Sequence, residues 1–335
     1  MIYRPILSTI FAATFATASM ADEVNVYSHR QPDLIKPLTA AFTKATGIEV
    51  NVAYLDKGLV ERLLAEGDRS PADVILTVDI SRLAGAVEAG VTQSVASAVM
   101  EANIPADFRD PDGHWWGLTT RARVVYASRD RVAEGEITTY EDLADPKWAG
   151  RICTRSGTHA YMTGLTAAVI KHLGEDGAKI WLEGLRANLA RRPQGNDRAQ
   201  IKAIWAGECD ISLGNTYYMG AMLANPDQVE WANSVRIDFP HFVGGGTHVN
   251  VSGVAMTKSA PNYDSALKFM EYLTSPQAQE IYGETNNEYP IAPGSKPSDL
   301  VSSWGSFTPD PVNLMDLARL RADALRITQE SDYDG

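Results

Sequence analysis

Two α/β lobes joined by long crossover strands are the fold this sequence predicts, on three observations. Strand-like alternation and helix-like periodicity follow each other from residue 22 onward, the pattern of a sheet flanked by helices. Glycines stand just past several helical stretches, at Gly47, Gly67 and Gly90, where a helix ends most easily in a left-handed residue. With 335 residues the chain is too long for one comfortable core.

In order along the chain, residues 24–28 (VNVYS) read as a strand, 33–46 as a helix and 48–54 (IEVNVAY) as a second strand. A helix at 58–66, a third strand at 72–78 (ADVILTV) and a helix at 81–89 follow. Ligands of such sheets sit at the carboxyl ends of the strands, which places Tyr27 to Arg30 and Thr77 to Asp79 beside a candidate site. The long run 117–128 (GLTTRARVVYAS) is the first candidate crossover. A short helix begins at Tyr140, and a strand is expected at 151–155 (RICTR). Helices at 161–173, 178–190 and 200–206 lead to a strand at 210–214 (DISLG). After the glycines of 244–246, residues 249–258 (VNVSGVAMTK) form the second crossover, then helices at 262–274 and 276–285. Residues 329–335 read as frayed. The first lobe is expected over 22–121 and about 250–295, the second over about 122–249 and 296–335. The hinge then lies near 120–125 and 250–255.

The N-terminus indicates export. Residues 1–19 carry Arg4 and then an apolar stretch, 6–18, too short to cross a bilayer. Ser19-Met20-Ala21 supplies small residues at a cleavage site before Asp22-Glu23, the form of a signal peptide cut after Ala21. No cysteine lies near that cut, so no lipid anchor is expected. No later stretch approaches 18 consecutive apolar residues, so the mature chain is not expected to enter a membrane. A net charge of −12 argues against nucleic acid as a partner. The two cysteines, Cys153 and Cys209, read as one disulfide in an oxidising compartment. A thiolate metal site is the weaker alternative without a CxxC pair.

The most informative segment is Gly214-Asn215-Thr216-Tyr217-Tyr218-Met219-Gly220, directly after a buried-looking strand. Asn215 or Thr216 can cap a helix beginning there. At a strand-to-helix junction the two neighbouring tyrosines can converge, whereas in a continuing strand they would face opposite ways. The plainer reading buries one ring and exposes the other. Tyr161 sits in the same setting, after strand 151–155 and at the start of a helix. Three phenolic oxygens in one cleft suit a hard trivalent cation: three phenolates balance its charge, and each forms only when metal displaces the proton.

These stretches carry a resemblance: VYSHRQPDLI (26–35), DKGLVERL (56–63), SPADVILTVDISRL (70–83), FRDPDGHWWGLTTRARVVYASRDRV (108–132), RICTRSGTHAYM (151–162), GLRANLARRPQGNDRAQIKAIWAGECDISLGNTYYMG (184–220) and GTHVNVSGVAMTKSAPN (246–262). They resemble the periplasmic ferric-binding proteins of iron ABC transporters, in the branch using three tyrosines with a carbonate-like anion. The resemblance implies a two-lobed, type II-like solute-binding fold and Fe³⁺ held by Tyr161, Tyr217 and Tyr218. It implies a monomer that delivers iron in the periplasm to an inner-membrane ABC permease. Some members add a His or Tyr where this chain has Gln31 and Pro32, both poor ferric ligands; His29, two residues earlier, is the substitute. Asp56 and Asp79 are the nearest carboxylates and read as structural. For the anion, the candidates are Arg121, Arg30 and the Ser156-Gly157 turn at a helix start. Arg123 shares a strand face with Arg121 and reads as a surface salt-bridge partner.

Enzyme signatures are missing: no GxSxG, HExxH, phosphate loop or CxxC occurs. A binder of an organic cation, such as thiamine or a polyamine, is the alternative and would need an aromatic box or paired carboxylates. A hydrolase or transferase on a similar scaffold would need a nucleophile with a base.

Overall fold

The computed structural model describes residues 22–335. The expected signal peptide, residues 1–21, lies outside the described residues. The elements are β1 (Glu23–Ser28), α1 (Lys36–Thr46), β2 (Glu49–Tyr54), α2 (Leu59–Glu66), β3 (Val74–Thr77), α3 (Ile80–Glu88), α4 (Ala98–Asn103) and β4 (Trp116–Ser128). There follow β5 (Ile152–Cys153), α5 (Ala160–Ala187), α6 (Asp197–Trp205), β6 (Ile211–Asn215), α7 (Tyr217–Leu223), α8 (Val229–Asn233), β7 (Val235–Asp238) and β8 (Val249–Met256). The chain closes with α9 (Tyr263–Thr274), α10 (Pro276–Asn286), β9 (Tyr289–Pro290), α11 (Asp299–Ser302), α12 (Leu314–Arg319) and α13 (Arg321–Glu330).

The strands run in the order β2-β1-β3-β8-β4-β6-β5, with β7 and β9 also paired to β4. β1 pairs parallel to β2 and β3, and β5 parallel to β6, while β3/β8, β8/β4 and β4/β6 are antiparallel. The sheet is therefore mixed. β4 is the crossover: Trp116 to Ala122 pair with β8, and from Arg123 to Ala127 the strand pairs with β6 instead. All 13 of its residues are buried, as expected of a strand covered on both faces. Among the described residues no helix is long and apolar enough to cross a membrane.

Among the described residues, three apolar clusters fill the layers. One lies around Val26, Phe42, Val74, Met256 and Phe269 in the β1–β3 half. A second runs under α5 through Trp148, Leu165, Leu182 and Leu213. The third packs Tyr126, Cys153, Ile204, Cys209, Met219 and Met222 beneath α7. Cys153 and Cys209 form a disulfide with Cα atoms 5.9 Å apart, joining β5 to the turn before β6. The two helices expected around residues 161–190 run head to tail as α5, broken at Gly174, whose φ of 73° no other residue adopts cheaply.

Two expectations need correction. Strand 151–155 shrinks to Ile152–Cys153 because only these two residues pair with β6. The C-terminus is not frayed: Tyr333 is 1% exposed and its hydroxyl lies 2.9 Å from Thr154 Oγ1. Asp334 accepts from the Gly157 N–H at 2.7 Å and from Ser156 Oγ at 2.6 Å. An aromatic ring with a buried partner and a carboxylate on two donors outweigh the flexibility that terminal position suggests.

Candidate metal centre

β6 is buried over its whole length and ends at Asn215, after which Thr216 turns into the helix that begins at Tyr217. Neither expected cap forms. Thr216 makes no side-chain cap and its buried hydroxyl has no partner, while Asn215 Oδ1 accepts from Arg123 Nη1 at 3.3 Å. Asn215 Nδ2 instead donates to the Tyr217 hydroxyl at 3.4 Å. The helical turn swings both tyrosines to one side: their ring centroids are 4.4 Å apart, tilted by 41°. The Tyr217 hydroxyl donates to the Tyr161 hydroxyl at 3.1 Å.

Tyr161 comes from the first turn of α5. His159 precedes it as N-cap, Nδ1 accepting from the Tyr161 N–H at 3.2 Å. The His159 ring stands edge-on to Tyr161 at 4.6 Å. All three tyrosines are half-buried, so the structure brings together phenols 56 residues apart in sequence.

Burial pushes the Tyr217 phenol well above its ordinary value near 10, and the neighbouring Tyr161 and Tyr218 add to the rise; Arg121 opposes it. Tyr218 is raised first by burial, then by Asp197 and Tyr161. At neutral pH these phenols keep their protons, and only a cation able to displace them converts the cluster into a charged oxygen site. Burial and the cation of Arg155 hold His159 down to about 4, so its imidazole stays neutral.

The arginines differ in what they hold. Arg121 is 2% exposed; Nη1 donates to Ser252 Oγ at 3.0 Å and its Nε has no partner. Arg30 is engaged by Glu288 at 2.6 Å, by Ser252 at 3.0 Å and by the Tyr282 hydroxyl at 3.1 Å. The expected anion donors of Ser156 and Gly157 already bind Asp334, a carboxylate supplied by the chain itself. Arg123 is not at the surface: it pairs with fully buried Asp197 at 2.6 Å. His29 contacts Thr77 Oγ1 at 3.1 Å, and burial with nearby Arg82 lowers it to about 4. Among the described residues no hydrogen bond joins it to the three tyrosines.

Sequence reasoning passed over Asp197 and Arg155. Asp197 opens α6, where an acidic residue normally complements the helix dipole in solvent; its burial follows from the two arginines that converge on it. Among the described residues no group of three His, Cys, Asp or Glu is placed to hold a metal ion, so a metal here would depend on the phenols. A cavity of about 560 Å³ elsewhere is lined by Phe108, Thr120, Tyr289, Ile291, Phe307 and neighbours, without a carboxylate.

The sequence profile described as bacterial extracellular solute-binding protein matches residues 69–304. Iron uptake protein A1 of Synechocystis sp. is 44% identical over 95% of this chain and 89% of its own. Ferric iron-binding protein A of Mannheimia haemolytica, solved in an open conformation, superimposes with a TM-score of 0.91 at 50% identity, covering 94% of this chain and 100% of that one. A Trichodesmium protein solved in complex with iron and citrate has a TM-score of 0.89 at 42% identity, over 93% and 99% of the two chains.

Proposed function

The chain belongs to the bacterial extracellular solute-binding protein family, and within it we propose that this member captures Fe³⁺ in the periplasm for an ABC importer. The supporting observation is the convergence of Tyr161, Tyr217 and Tyr218 from two helix starts, with two hydroxyls 3.1 Å apart. Iron is the cargo. Three phenolates offset its charge, so the ion can leave water without a large residual charge. A carbonate-like or small carboxylate anion completes the coordination, held by Arg121, whose Nε has no partner among the described residues. Arg30 contributes through its charge rather than its fork, because Glu288 and Tyr282 already occupy that fork. His29 is a ligand only if the first lobe moves toward the tyrosines. The mature form begins at Asp22, acts as a monomer and delivers iron to an inner-membrane permease.

The test is a ferric titration of the purified protein followed by the visible tyrosinate-to-iron charge-transfer band. Wild type is expected to turn coloured and to lose the band on reduction or chelation. Tyr217→Phe should remove most of the band and affinity. Tyr126→Phe should lower stability by about 1 kcal/mol, because its hydroxyl donates to the Asn215 carbonyl at 2.7 Å, yet cost far less of the band and affinity than Tyr217→Phe. An uncoloured wild type, or a coloured Tyr217→Phe of full affinity, overturns the assignment.

A further inference from the structure

A single buried carboxylate sits behind the tyrosine cluster. Asp197 is 0% exposed. Its Oδ2 accepts from Arg123 Nη1 at 2.6 Å and from the Asn215 backbone N–H at 3.1 Å, and its Oδ1 accepts from Arg155 Nη1 at 2.9 Å. Arg123 and Arg155 are themselves 2% and 7% exposed. Each guanidinium lies over the Tyr161 ring, Arg155 with Cζ 5.0 Å from the centroid and Arg123 at 5.9 Å, within the range of cation–π attraction.

These contacts join four pieces of chain. Arg123 comes from β4 where it changes partner, Arg155 from the segment after β5, Asp197 from the start of α6, and Asn215 from the end of β6 two residues before Tyr217. One oxygen of Asp197 therefore holds the strand end that launches Tyr217 and Tyr218. The other fixes one of the two cations that stack on Tyr161. The disulfide ties the same two segments further back, at Cys153 and Cys209. Beside the phenols, Asp197 ties them together with Arg123, which reaches Asn215 Oδ1 at 3.3 Å and Met162 Sδ at 3.4 Å.

We propose that Asp197 is a positioning residue for the tyrosine site, fixing through Arg155, Arg123 and the Asn215 N–H the span between Tyr161 and the Tyr217–Tyr218 pair. This rests on the ferric reading above. A purely apolar filling would pack the same space, but it would leave two buried guanidiniums unpaired and neither ring nor strand end fixed in direction. Partners behind metal ligands set their orientation and typically change metal affinity about 10–100-fold when removed.

The experiment compares Asp197→Asn and Arg155→Lys with wild type and with Asp73→Asn. Asparagine keeps the volume and one acceptor of Asp197 but loses its charge. Lysine keeps the charge of Arg155 but loses the planar fork. Asp73 is an equally buried carboxylate in the other half, accepting from the backbone of Asn25 and Asn262, and serves as the structural control. Ferric affinity, the position and intensity of the charge-transfer band, and the melting temperature of iron-free protein are measured on each. Asp197→Asn and Arg155→Lys are expected to lose about 10–100-fold in ferric affinity and to shift or weaken the band. Asp73→Asn should lower the melting temperature with the band unmoved. Wild-type affinity and band in a folded Asp197→Asn overturn the proposal; if that variant does not fold, the same result in Arg155→Lys overturns it. A wild type with no band overturns the ferric reading and this inference with it, whereas a banded wild type with unaltered variants overturns this inference alone.

Discussion

His248 places an imidazole inside the protein, 4% exposed, with its Nδ1 unpartnered. Burial is the main cause that lowers it to about 4 from 6.5, and the cations of Arg123 and Arg121 assist against Asp310 and Asp79. Its folded form resists protonation that the unfolded chain accepts. As pH falls from 6.5 toward 4, the unfolded state therefore binds more protons and stability declines, by up to about 3 kcal/mol from this residue. Above 6.5 both states are neutral and the contribution is flat. Urea unfolding midpoints at pH 7 and pH 4.5 check this: His248→Gln should lose less stability between the two than wild type does. Equal losses would show that His248 does not carry the dependence. The tyrosines follow the same physics in the opposite chemical sense, since burial keeps acidic phenols protonated until a cation arrives.

At the element scale, the start of α5 is held from behind by the chain's own end. Gly157 lies against the C-terminal segment so closely that an added Cβ would stand 2.6 Å from both Thr328 Cγ2 and Tyr333 Cδ1. Gly157→Ala must displace Tyr333 or α13, at a cost of roughly 1–3 kcal/mol. We expect the variant to melt earlier and residues 331–335 to become accessible to carboxypeptidase, with the ferric band unchanged. A displaced band with a protected tail would return Gly157 to the anion. Helix ends are legible in sequence where a glycine marks them, as Gly47 does after α1. The starts are less so, because His159 and Asn196 cap α5 and α6 at positions not expected as caps, while the expected caps Asn215 and Thr216 do not form. Short strands such as β5 are not, because their pairing and not their composition sets their length.

Across the whole molecule, the tyrosines come from α5 and α7, Arg121 from the strand that crosses between the sheet halves, and His29 and Arg30 from the end of β1. On the proposed ferric reading, iron held by groups on both sides would favour the arrangement in which they meet, to the extent that its affinity differs between arrangements. Small-angle scattering of iron-loaded and iron-free protein should show a smaller radius of gyration with iron. Identical curves would mean that the α5 and α7 tyrosines hold iron without help from the β1 side. β4 changes partner from β8 to β6 between Ala122 and Arg123, which is where an axis between the two sheet halves would lie.

The sequence by itself determined the alternation of strands and helices, the long crossover strand that became β4, the cysteine pair and the placement of Tyr161, Tyr217 and Tyr218 at helix starts. Each of these is written in local periodicity, in glycine positions, or in residue type. The other expected crossover, β8, pairs among the described residues only with β3 and β4. Only the tertiary structure decided which phenols touch, that Asp334 takes the donors of Ser156 and Gly157, that Arg30 is engaged by Glu288, and that Arg123 is buried on Asp197. Those choices join residues up to 258 positions apart. A charge at any one of these positions looks the same in sequence whether it meets water or a partner, and burial, which depends on the whole packing, decides between them.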